Sequence, residues 1–207
     1  TFRSEGGILK NGARRIYGTE EKLAIFESLG VDLCILADFN AIRGLDAREF
    51  IEETVIGHSN VRVAVAGYNF RFGKGAQGNR DTLCDLMRKN GLDAIIVEEF
   101  TYNSTAVSST AIREMIRDGR IREANALLGQ SYTFRAEVKH GRGEGRGLGF
   151  PTVNTELPAD REIPRLGVYR TEVLVDGDVY VGITNVGTCP TFAERAAHLE
   201  TYILGYE

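Results

Sequence analysis

The residues best suited to chemistry lie in the segment HGRGEGRGLGFPTVN, residues 140–154, which carries five glycines and two arginines. A glycine-rich backbone can turn its N–H groups toward a bound anion because no Cβ stands in the way. Pro151 and Val153 then favour an extended strand. Because residues two apart on a strand point to the same side, Thr152 and Asn154 would present a hydroxyl and an amide oxygen together. Neutral oxygens beside a phosphate cradle are suitable ligands for a nucleotide-bound Mg²⁺.

The glycine run is the predicted phosphate-binding loop, although its spacing differs from G-x-x-x-x-G-K-[ST] and no lysine follows it. Two other interpretations stay open, a flexible surface loop and an arginine–glycine segment that binds RNA. A net charge of −4 argues against RNA, since the loop would be a basic island on an acidic protein. The five loop glycines are Gly141, Gly143, Gly145, Gly147 and Gly149.

A carboxylate on the last predicted strand is the candidate general base. Alternation along Leu199–Leu204 puts Glu200 on one face with Tyr202 and Leu204. If that face is interior, burial raises the pKa of Glu200 toward that of a useful base. If the face is exterior, Glu200 is an ordinary exposed glutamate, and the pattern alone leaves both interpretations open.

A second candidate site lies at a predicted helix start, residues 108–113. Ser109 or Thr110 is the predicted N-cap of a helix over Ala111–Arg117. Arg113 falls in the first turn, where the helix dipole opposes a cation. Dipole, amide N–H groups and guanidinium together would bind a phosphate, whereas the alternative is an arginine that points into solvent.

The loop Asn69–Gly75 alternates aromatic residues with cations. Its aromatic rings could stack on a planar ligand or could pack against each other within the loop. The residues alone favour the second interpretation.

Helices and strands alternate from Thr19 to about Leu128, which predicts a parallel sheet with helices on both faces and ligands at the carboxyl ends of its strands. Thr19 and Asp46 are predicted helix caps, and Val31–Leu36 is a predicted strand. Residues 1–129 are therefore predicted to form an α/β domain.

After Gln130 the pattern becomes β-rich. Tyr132–Lys139, Val168–Val175 and Val179–Ile183 are predicted strands, and Asp176-Gly177 is a predicted hairpin turn. Residues 130–207 are predicted to form a small closed barrel.

The composition is that of an ordinary globular protein, with 207 residues, 43% hydrophobic and 26% charged. No apolar run is long enough for a bilayer and no signal peptide is recognisable, so we expect a cytoplasmic protein without membrane or nucleic-acid partners. The cysteines are odd in number and far apart, which predicts neither a disulfide framework nor a zinc site; they are Cys34, Cys84 and Cys189. The histidines show no paired spacing and are expected on the surface or in loops rather than as metal ligands; they are His58, His140 and His198.

Several of these segments resemble one known family. GFPTVN is similar to the G-F-P-T-A-N signature of the riboflavin kinases, with Val153 where that family usually has alanine. Residues 67–73 and 108–113 resemble the adenylyltransferase half of the bacterial bifunctional riboflavin kinase/FAD synthetases. Further matching segments are residues 167–169, 182–192 and 199–204.

The resemblance implies a Rossmann-like nucleotidyltransferase domain followed by a small Greek-key β-barrel of the riboflavin kinase type. It implies ATP- and Mg²⁺-dependent phosphorylation of riboflavin to FMN, and adenylylation of FMN to FAD. In the kinase site Glu200 would activate the ribityl hydroxyl, Thr152 and Asn154 would hold Mg²⁺, and the glycine loop would bind phosphates. The residues implied for the adenylyltransferase site are Asn69, Ser108, Ser109, Thr110 and Arg113.

Parts of the family pattern are missing. The H-x-G-H motif that steadies ATP in that family is absent, and Arg3–Gly6 stands where the family has Asp-Pro-His-Pro. We therefore expect a first domain truncated at its N-terminus, and a barrel without the family's C-terminal helical tail. The alternatives are a kinase with a degenerate adenylyltransferase domain and a non-catalytic flavin- or nucleotide-binding protein. The sequence does not indicate the oligomeric state.

Overall fold

The computed structural model describes residues 1–2, 13–139, 150–157, 160–188 and 197–206. The helices are α1 (Thr19–Ser28), α2 (Phe39–Ile42), α3 (Ala47–Glu49), α4 (Gly57–Ser59), α5 (Arg80–Lys89), α6 (Ser109–Arg117) and α7 (Ile121–Leu128). A π-helical segment occupies Phe50–Ile56 and a 3-10 turn Lys74–Ala76. The strands are β1 (Val63–Gly67), β2 (Asp93–Val97), β3 (Thr101–Tyr102), β4 (Thr105–Ala106), β5 (Thr152–Glu156), β6 (Gly167–Val175), β7 (Asp178–Thr188) and β8 (Ala197–Ile203).

The described residues form two compact units. The α/β unit holds residues 1–2 and 30–107, and the β-sheet unit holds residues 13–29 together with the described part of 108–206. Helices α6 and α7 thus belong to the same compact unit as the sheet β5–β8. The division into functional domains at residues 129 and 130 stays a prediction.

The helices of the α/β unit begin at polar caps that the sequence supplies. Asp46 Oδ1 accepts a hydrogen bond from the Glu49 N–H at 2.9 Å, and Glu49 Oε2 accepts one from the Asp46 N–H at 2.8 Å. This capping box confirms Asp46 as the predicted cap and starts α3. Helix α5 starts at Asn79, whose Oδ1 accepts from the Thr82 N–H at 2.9 Å.

The core of the α/β unit lies between α5, the π-helical segment and one face of the β1–β2 pair. Strands β1 and β2 are parallel, as predicted, with Val63 opposite Asp93 and Gly67 opposite Val97. Alternation sends their alanines and Ile96 into the core and leaves the opposite face exposed. The buried core side chains are Ile51, Phe72, Leu83, Leu86 and Met87.

The predicted strand over Val31–Leu36 is wrong, because the structure has irregular backbone there. Ala37 makes an isolated parallel bridge with Phe2, and the Ala37 N–H donates to the Thr1 carbonyl at 2.8 Å. A strand needs a partner along several residues. The described pairing of this segment reaches only Thr1 and Phe2, so no ladder extends along it.

The β-sheet unit is built on a four-stranded antiparallel sheet in the order β5-β8-β7-β6. Asp176 and Gly177 have φ of 51° and 95°, which confirms the predicted two-residue hairpin between β6 and β7. One face of the sheet buries Leu199 and Val186 against Leu157. The other face is the outer face and is largely exposed.

Three threonine hydroxyls form a row on the buried face. Thr184 Oγ1 lies 2.8 Å from both Thr171 Oγ1 and Thr201 Oγ1. The row satisfies polar atoms that the core would otherwise leave unpaired. Gly182 lies close to this row, since a Cβ there would approach Thr171 Oγ1 to 2.8 Å and Thr201 Cγ2 to 2.9 Å.

A buried ion pair joins α1 to the segment before β6. Arg161 Nη1 and Nη2 donate to Glu21 Oε2 and Oε1 at 3.1 and 2.9 Å. The N-cap of α1 is Gly18 rather than the predicted Thr19. The ion pair leaves room only for glycine at this position, since a Cβ on residue 18 would stand 2.6 Å from both Arg161 Nη1 and Glu21 Oε2.

The predicted strand over Tyr132–Lys139 is also wrong. The Tyr132 N–H donates to Asn125 Oδ1 at 2.8 Å and the Arg135 N–H donates to Glu21 Oε1 at 3.1 Å. These amides bond to side chains instead of to a neighbouring strand, and pairing is limited to an isolated bridge between Lys139 and Asn154. Among all the residues described, no helix has the length and apolar character needed to cross a membrane.

Candidate active site

The strand register brings the predicted kinase residues to one place. In the β5–β8 pair Asn154 lies opposite Glu200 and Thr152 lies opposite Tyr202. Directly opposed residues of antiparallel strands point to the same face. Thr152, Asn154 and Glu200 therefore share the outer face of the sheet. The predicted phosphate loop with its five glycines lies outside the described residues.

The outer face is open at Glu200 and closed at Asn154. The Glu200 side chain is 48% exposed, so of the two interpretations left by the sequence, the structure has the exterior one. Asn154 is only 9% exposed. The Asn154 carbonyl accepts a hydrogen bond from the Lys139 N–H at 2.7 Å, and Lys139 Nζ lies 2.6 Å from Glu156 Oε2. These contacts cover β5 along its outer edge and hold Asn154 in place.

His198 is a site residue that the sequence analysis missed. Its Nε2 lies 3.0 Å from Asn154 Oδ1 and 3.4 Å from Glu200 Oε1. His198 lies on β8 rather than in a loop, and 31% of its side chain is exposed on the outer face. The available signal was its spacing of two residues from Glu200, which puts both side chains on one face of the strand.

Asn185 lies on the other side of Glu200. The β7–β8 register places Asn185 opposite Glu200, and its side chain is exposed on the same face. Asn154, Glu200 and Asn185 thus form a polar row across three strands. They offer oxygen donors, which suit a hard divalent cation or a hydroxylated substrate.

An apolar strip borders this polar row. Phe150 meets Tyr202 edge-to-face with ring centroids 5.5 Å apart. Tyr202 lies opposite Ile183, which is also exposed. The strip is therefore in reach of any ligand that contacts Glu200, and an aromatic ring is the type of group that such a surface accepts.

The second predicted site begins α6 in the β-sheet unit. Ser108 is the N-cap, rather than Ser109 or Thr110, and its Oγ accepts from the Ala111 N–H at 3.2 Å. An N-cap needs extended backbone, and Ser108 has it at φ −144° and ψ 151°, whereas Ser109 and Thr110 are already helical.

Arg113 does not simply point into solvent. It is half-buried, and its Nε donates to the Arg14 carbonyl at 2.6 Å. The buried carboxylate of Glu162 lies close by, with Arg117 Nε 3.6 Å from Glu162 Oε1. Burial raises the pKa of Glu162, although the guanidinium groups of Arg117, Arg14 and Arg113 oppose that shift. Arg113 follows the first turn of α6 and Arg117 ends the helix, so the cationic groups of this cluster lie along the helix.

Asn69 lies in the α/β unit, where it is exposed immediately after β1. The aromatic residues that follow it pack on each other, as the second interpretation of this loop expected. Phe70 stacks on Phe72 at 5.4 Å, and Phe72 is buried against Phe50 at 5.8 Å. Phe72 is therefore a core residue and is not free to stack on a ligand.

The fold and this site define a class of two-unit proteins. One unit is α/β with a parallel strand pair, and the other has an antiparallel sheet that carries clustered oxygen donors. Sequence models identify the class more closely. The FAD synthetase model matches residues 8–111 and the riboflavin kinase model matches residues 128–207. The chain belongs to the FAD synthetase family, in which the synthetase is joined to a riboflavin kinase.

Its relatives are named accordingly. The bifunctional riboflavin kinase/FMN adenylyltransferase of Bacillus subtilis (strain 168) is 38% identical over 178 residues, which cover 85% of this chain and 55% of that protein. The enzyme of the same name from Escherichia coli (strain K12) is 34% identical over 194 residues, 92% of this chain and 61% of that protein. The chain thus spans a little over half the length of the curated relatives it matches.

A solved structure shares the fold. A crystal structure described as a macrolide-efflux protein from Streptococcus pneumoniae superimposes with a TM-score of 0.83 at 31% identity, covering 93% of this chain and 62% of that one.

Proposed function

We propose that this chain is part of an enzyme that phosphorylates riboflavin to FMN with ATP and Mg²⁺. The observation that carries the proposal is the antiparallel register that sets Asn154 opposite Glu200, with Thr152 on the same face. The riboflavin kinase match over residues 128–207 and the names of the relatives support it.

In the proposed reaction Glu200 acts as general base. It accepts the proton of the ribityl hydroxyl while that oxygen bonds to the terminal phosphorus of ATP and the bond to ADP breaks. The donors on Thr152 and Asn154 fit Mg²⁺, because both are neutral oxygens and a carboxylate lies beside them. When bound, Mg²⁺ neutralises phosphate charge. The exposure of Glu200 leaves room for the substrate hydroxyl to approach it.

The apolar strip supports a flavin as the substrate. Phe150, Tyr202 and Ile183 lie beside the polar row and could pack against an isoalloxazine ring while the ribityl chain reaches Glu200. On this face the apolar strip would thus contact the isoalloxazine ring, and the polar row would contact the ribityl hydroxyl groups.

We also propose that the β-sheet unit closes into a Greek-key barrel and that residues 1–129 and 130–207 are the functional domains. The order β5-β8-β7-β6 supports the first point, because β5 lies beside β8 instead of beside β6, the next strand in the chain, and a Greek key likewise pairs its first strand with its fourth. Closure would remove the exposed sheet edges.

In the intact enzyme the second activity would be adenylylation of FMN to FAD. Support comes from the FAD synthetase match over residues 8–111 and from Arg113, which follows the first turn of α6. Ser108, Ser109, Thr110 and Arg113 would contact the nucleotide, and Asn69 would contact the nucleotide or the flavin. A helix N-terminus with guanidinium groups suits phosphate.

Glu200→Gln tests the kinase proposal. Incubation of the full protein with riboflavin, ATP and Mg²⁺, followed by chromatographic separation of FMN and FAD, should show FMN formation lowered by about 10²- to 10⁴-fold in the variant. Flavin fluorescence should show that riboflavin still binds. Glu172→Gln is the matched control, since Glu172 is an exposed glutamate on the same face at β6.

The outcomes separate the candidate functions. FMN without FAD would mean a kinase with a degenerate adenylyltransferase domain. Flavin or nucleotide binding without turnover by the wild type would mean a binding protein, and full activity of the Glu200→Gln variant would remove Glu200 from the reaction.

A further inference from the structure

His198 occupies the space between the two groups that the proposed reaction needs most. Its Nε2 lies 3.0 Å from Asn154 Oδ1 and 3.4 Å from Glu200 Oε1. A carboxylate accepts hydrogen bonds, so the nearby Glu200 favours the tautomer of His198 with its proton on Nε2. In that tautomer Nε2–H donates to Asn154 Oδ1.

This contact assigns an orientation to the Asn154 amide. An asparagine amide can present either its oxygen or its nitrogen after a half turn, and only the oxygen can bind a cation. The carbonyl oxygen has two lone pairs. His198 takes one of them, which leaves the second for a cation.

We propose that His198 is a positioning residue that fixes the Asn154 amide with its oxygen directed to the divalent cation. This inference rests on the proposed function, because that function makes Asn154 a cation ligand. Partners that hydrogen-bond to a ligating group commonly set its orientation, and their loss weakens metal binding. The imidazole acts through Asn154 and does not itself touch the cation.

The spacing of atoms provides a sharp pair of variants. A glutamine side chain carries its amide nitrogen four bonds from Cα, as does Nε2 of histidine, whereas the nitrogen of asparagine corresponds to Nδ1. His198→Gln should therefore keep the donor in reach of Asn154 Oδ1, and His198→Asn should not. His198→Ala removes the donor altogether.

The matched control is His58→Ala. His58 is exposed in the α/β unit, and its Nδ1 faces the Glu53 carbonyl at 2.5 Å. Thermal unfolding of each variant, followed by circular dichroism, reports separately whether a substitution only disturbs the fold.

The first measurement is FMN formation as a function of MgCl₂ concentration at fixed ATP. For His198→Ala and His198→Asn, the concentration of Mg²⁺ that gives half-maximal rate should rise about 10- to 100-fold, with a smaller change in kcat at saturating Mg²⁺. For His198→Gln this Mg²⁺ concentration should stay within about threefold of the wild-type value, well below the rise expected for the other two variants.

The second measurement does not depend on turnover. The side-chain amide resonances of Asn154 in a ¹⁵N NMR spectrum are followed during MgCl₂ addition in the presence of ADP. The MgCl₂ concentration at the midpoint of the chemical-shift change should rise in His198→Ala and His198→Asn. In His198→Gln it should return to the wild-type value. Equal midpoints in all variants, or Asn154 resonances that Mg²⁺ leaves unmoved in the wild type, would overturn the proposal.

The two proposals fail in different ways. Suppose the wild type makes no FMN, but the Mg²⁺ midpoint of Asn154 rises in His198→Asn and stays at the wild-type value in His198→Gln. That outcome would refute the kinase function and leave the positioning role intact. Normal FMN formation with no dependence on residue 198 would do the reverse.

Discussion

Glu21→Ala should destabilise the β-sheet unit by about 3–5 kcal/mol, because it leaves the Arg161 guanidinium buried without its counter-charge. The Arg161 side chain is 3% exposed and that of Glu21 14% exposed, so water cannot replace the carboxylate without opening the structure. Within the described residues Arg161 Nε has no hydrogen-bond partner, and the hydrogen bond from Nη2 to the Thr133 carbonyl is long at 3.4 Å. The Arg135 N–H also loses its acceptor.

Urea unfolding followed by far-ultraviolet circular dichroism measures the free energy of unfolding. Hydrogen exchange of the Glu162 amide, which donates to the Arg15 carbonyl at 2.7 Å, reports opening of the same region. Glu123→Ala is the control, because Glu123 is 58% exposed and its ion pair with Arg120 should contribute at most about 1 kcal/mol. The reasoning is refuted if Glu21→Ala and Glu123→Ala lower stability equally.

Acid provides an independent check on the same pair. Burial alone would push the pKa of Glu21 up, but the Arg135 N–H and the Arg161 guanidinium outweigh it and hold the pKa below the ordinary value of 4.5. A depressed carboxyl pKa contributes stability above the unfolded value, and that contribution is lost as pH falls through the folded value. Glu21→Ala should therefore lose less stability than the wild type below pH 4.5, which unfolding at a series of acid pH values measures.

Three further predictions follow from burial and close packing. Burial raises the pKa of Tyr132 from 10.0 to about 12, so its contribution to stability should be complete below pH 10 and lost as pH rises through about 12; an ultraviolet titration should find one late phenolate, which Tyr132→Phe removes. Burial raises the pKa of Glu162, so its stabilising contribution is present below the ordinary value of 4.5 and lost as pH rises through the folded value. Glu162→Gln should therefore be at least as stable as the wild type at neutral pH. A loss of more than about 1 kcal/mol in urea unfolding would show that the ion pair with Arg117 dominates. Gly182→Ala should cost about 1–3 kcal/mol by overpacking, while Gly187→Ala on the same strand should be near neutral because nothing described lies within 4 Å of its Cβ; equal thermal melting of the two would contradict the packing argument.

Local signals in the sequence predicted the fold well where the deciding contacts are local. The capping box at Asp46, the hairpin at Asp176-Gly177 and the parallel β1–β2 pair all follow from neighbours in sequence or from short periodic runs. The predicted strand at Val31–Leu36 failed because a strand depends on a partner elsewhere in the chain. The N-cap of α1 is Gly18 rather than Thr19, and the ion pair packed against Gly18 joins Glu21 to Arg161, 140 residues further on, which no local pattern contains.

The candidate site likewise has residues that local spacing predicts and residues that only the contacts between distant strands bring together. Spacing by two placed Thr152 beside Asn154 on one face, and the structure has them there. The meeting of Asn154 with His198 depends on the register between β5 and β8, and one residue of slip would send His198 to the opposite face. Registers between distant strands are set by the whole sheet, so the role inferred for His198 required the structure.

The ion pair between Glu21 and Arg161 also says something about the order of folding. Residues 30–107 of the α/β unit are inserted in the sequence between α1 and the rest of the β-sheet unit. During synthesis α1 leaves the ribosome before this segment, yet its partner Arg161 lies 140 residues after Glu21. The inserted residues contain a hydrophobic core cluster of their own and can collapse on it, which shortens the effective loop that must close. We therefore expect the middle of the chain to fold early and the docking of α1 to be the late, slow event.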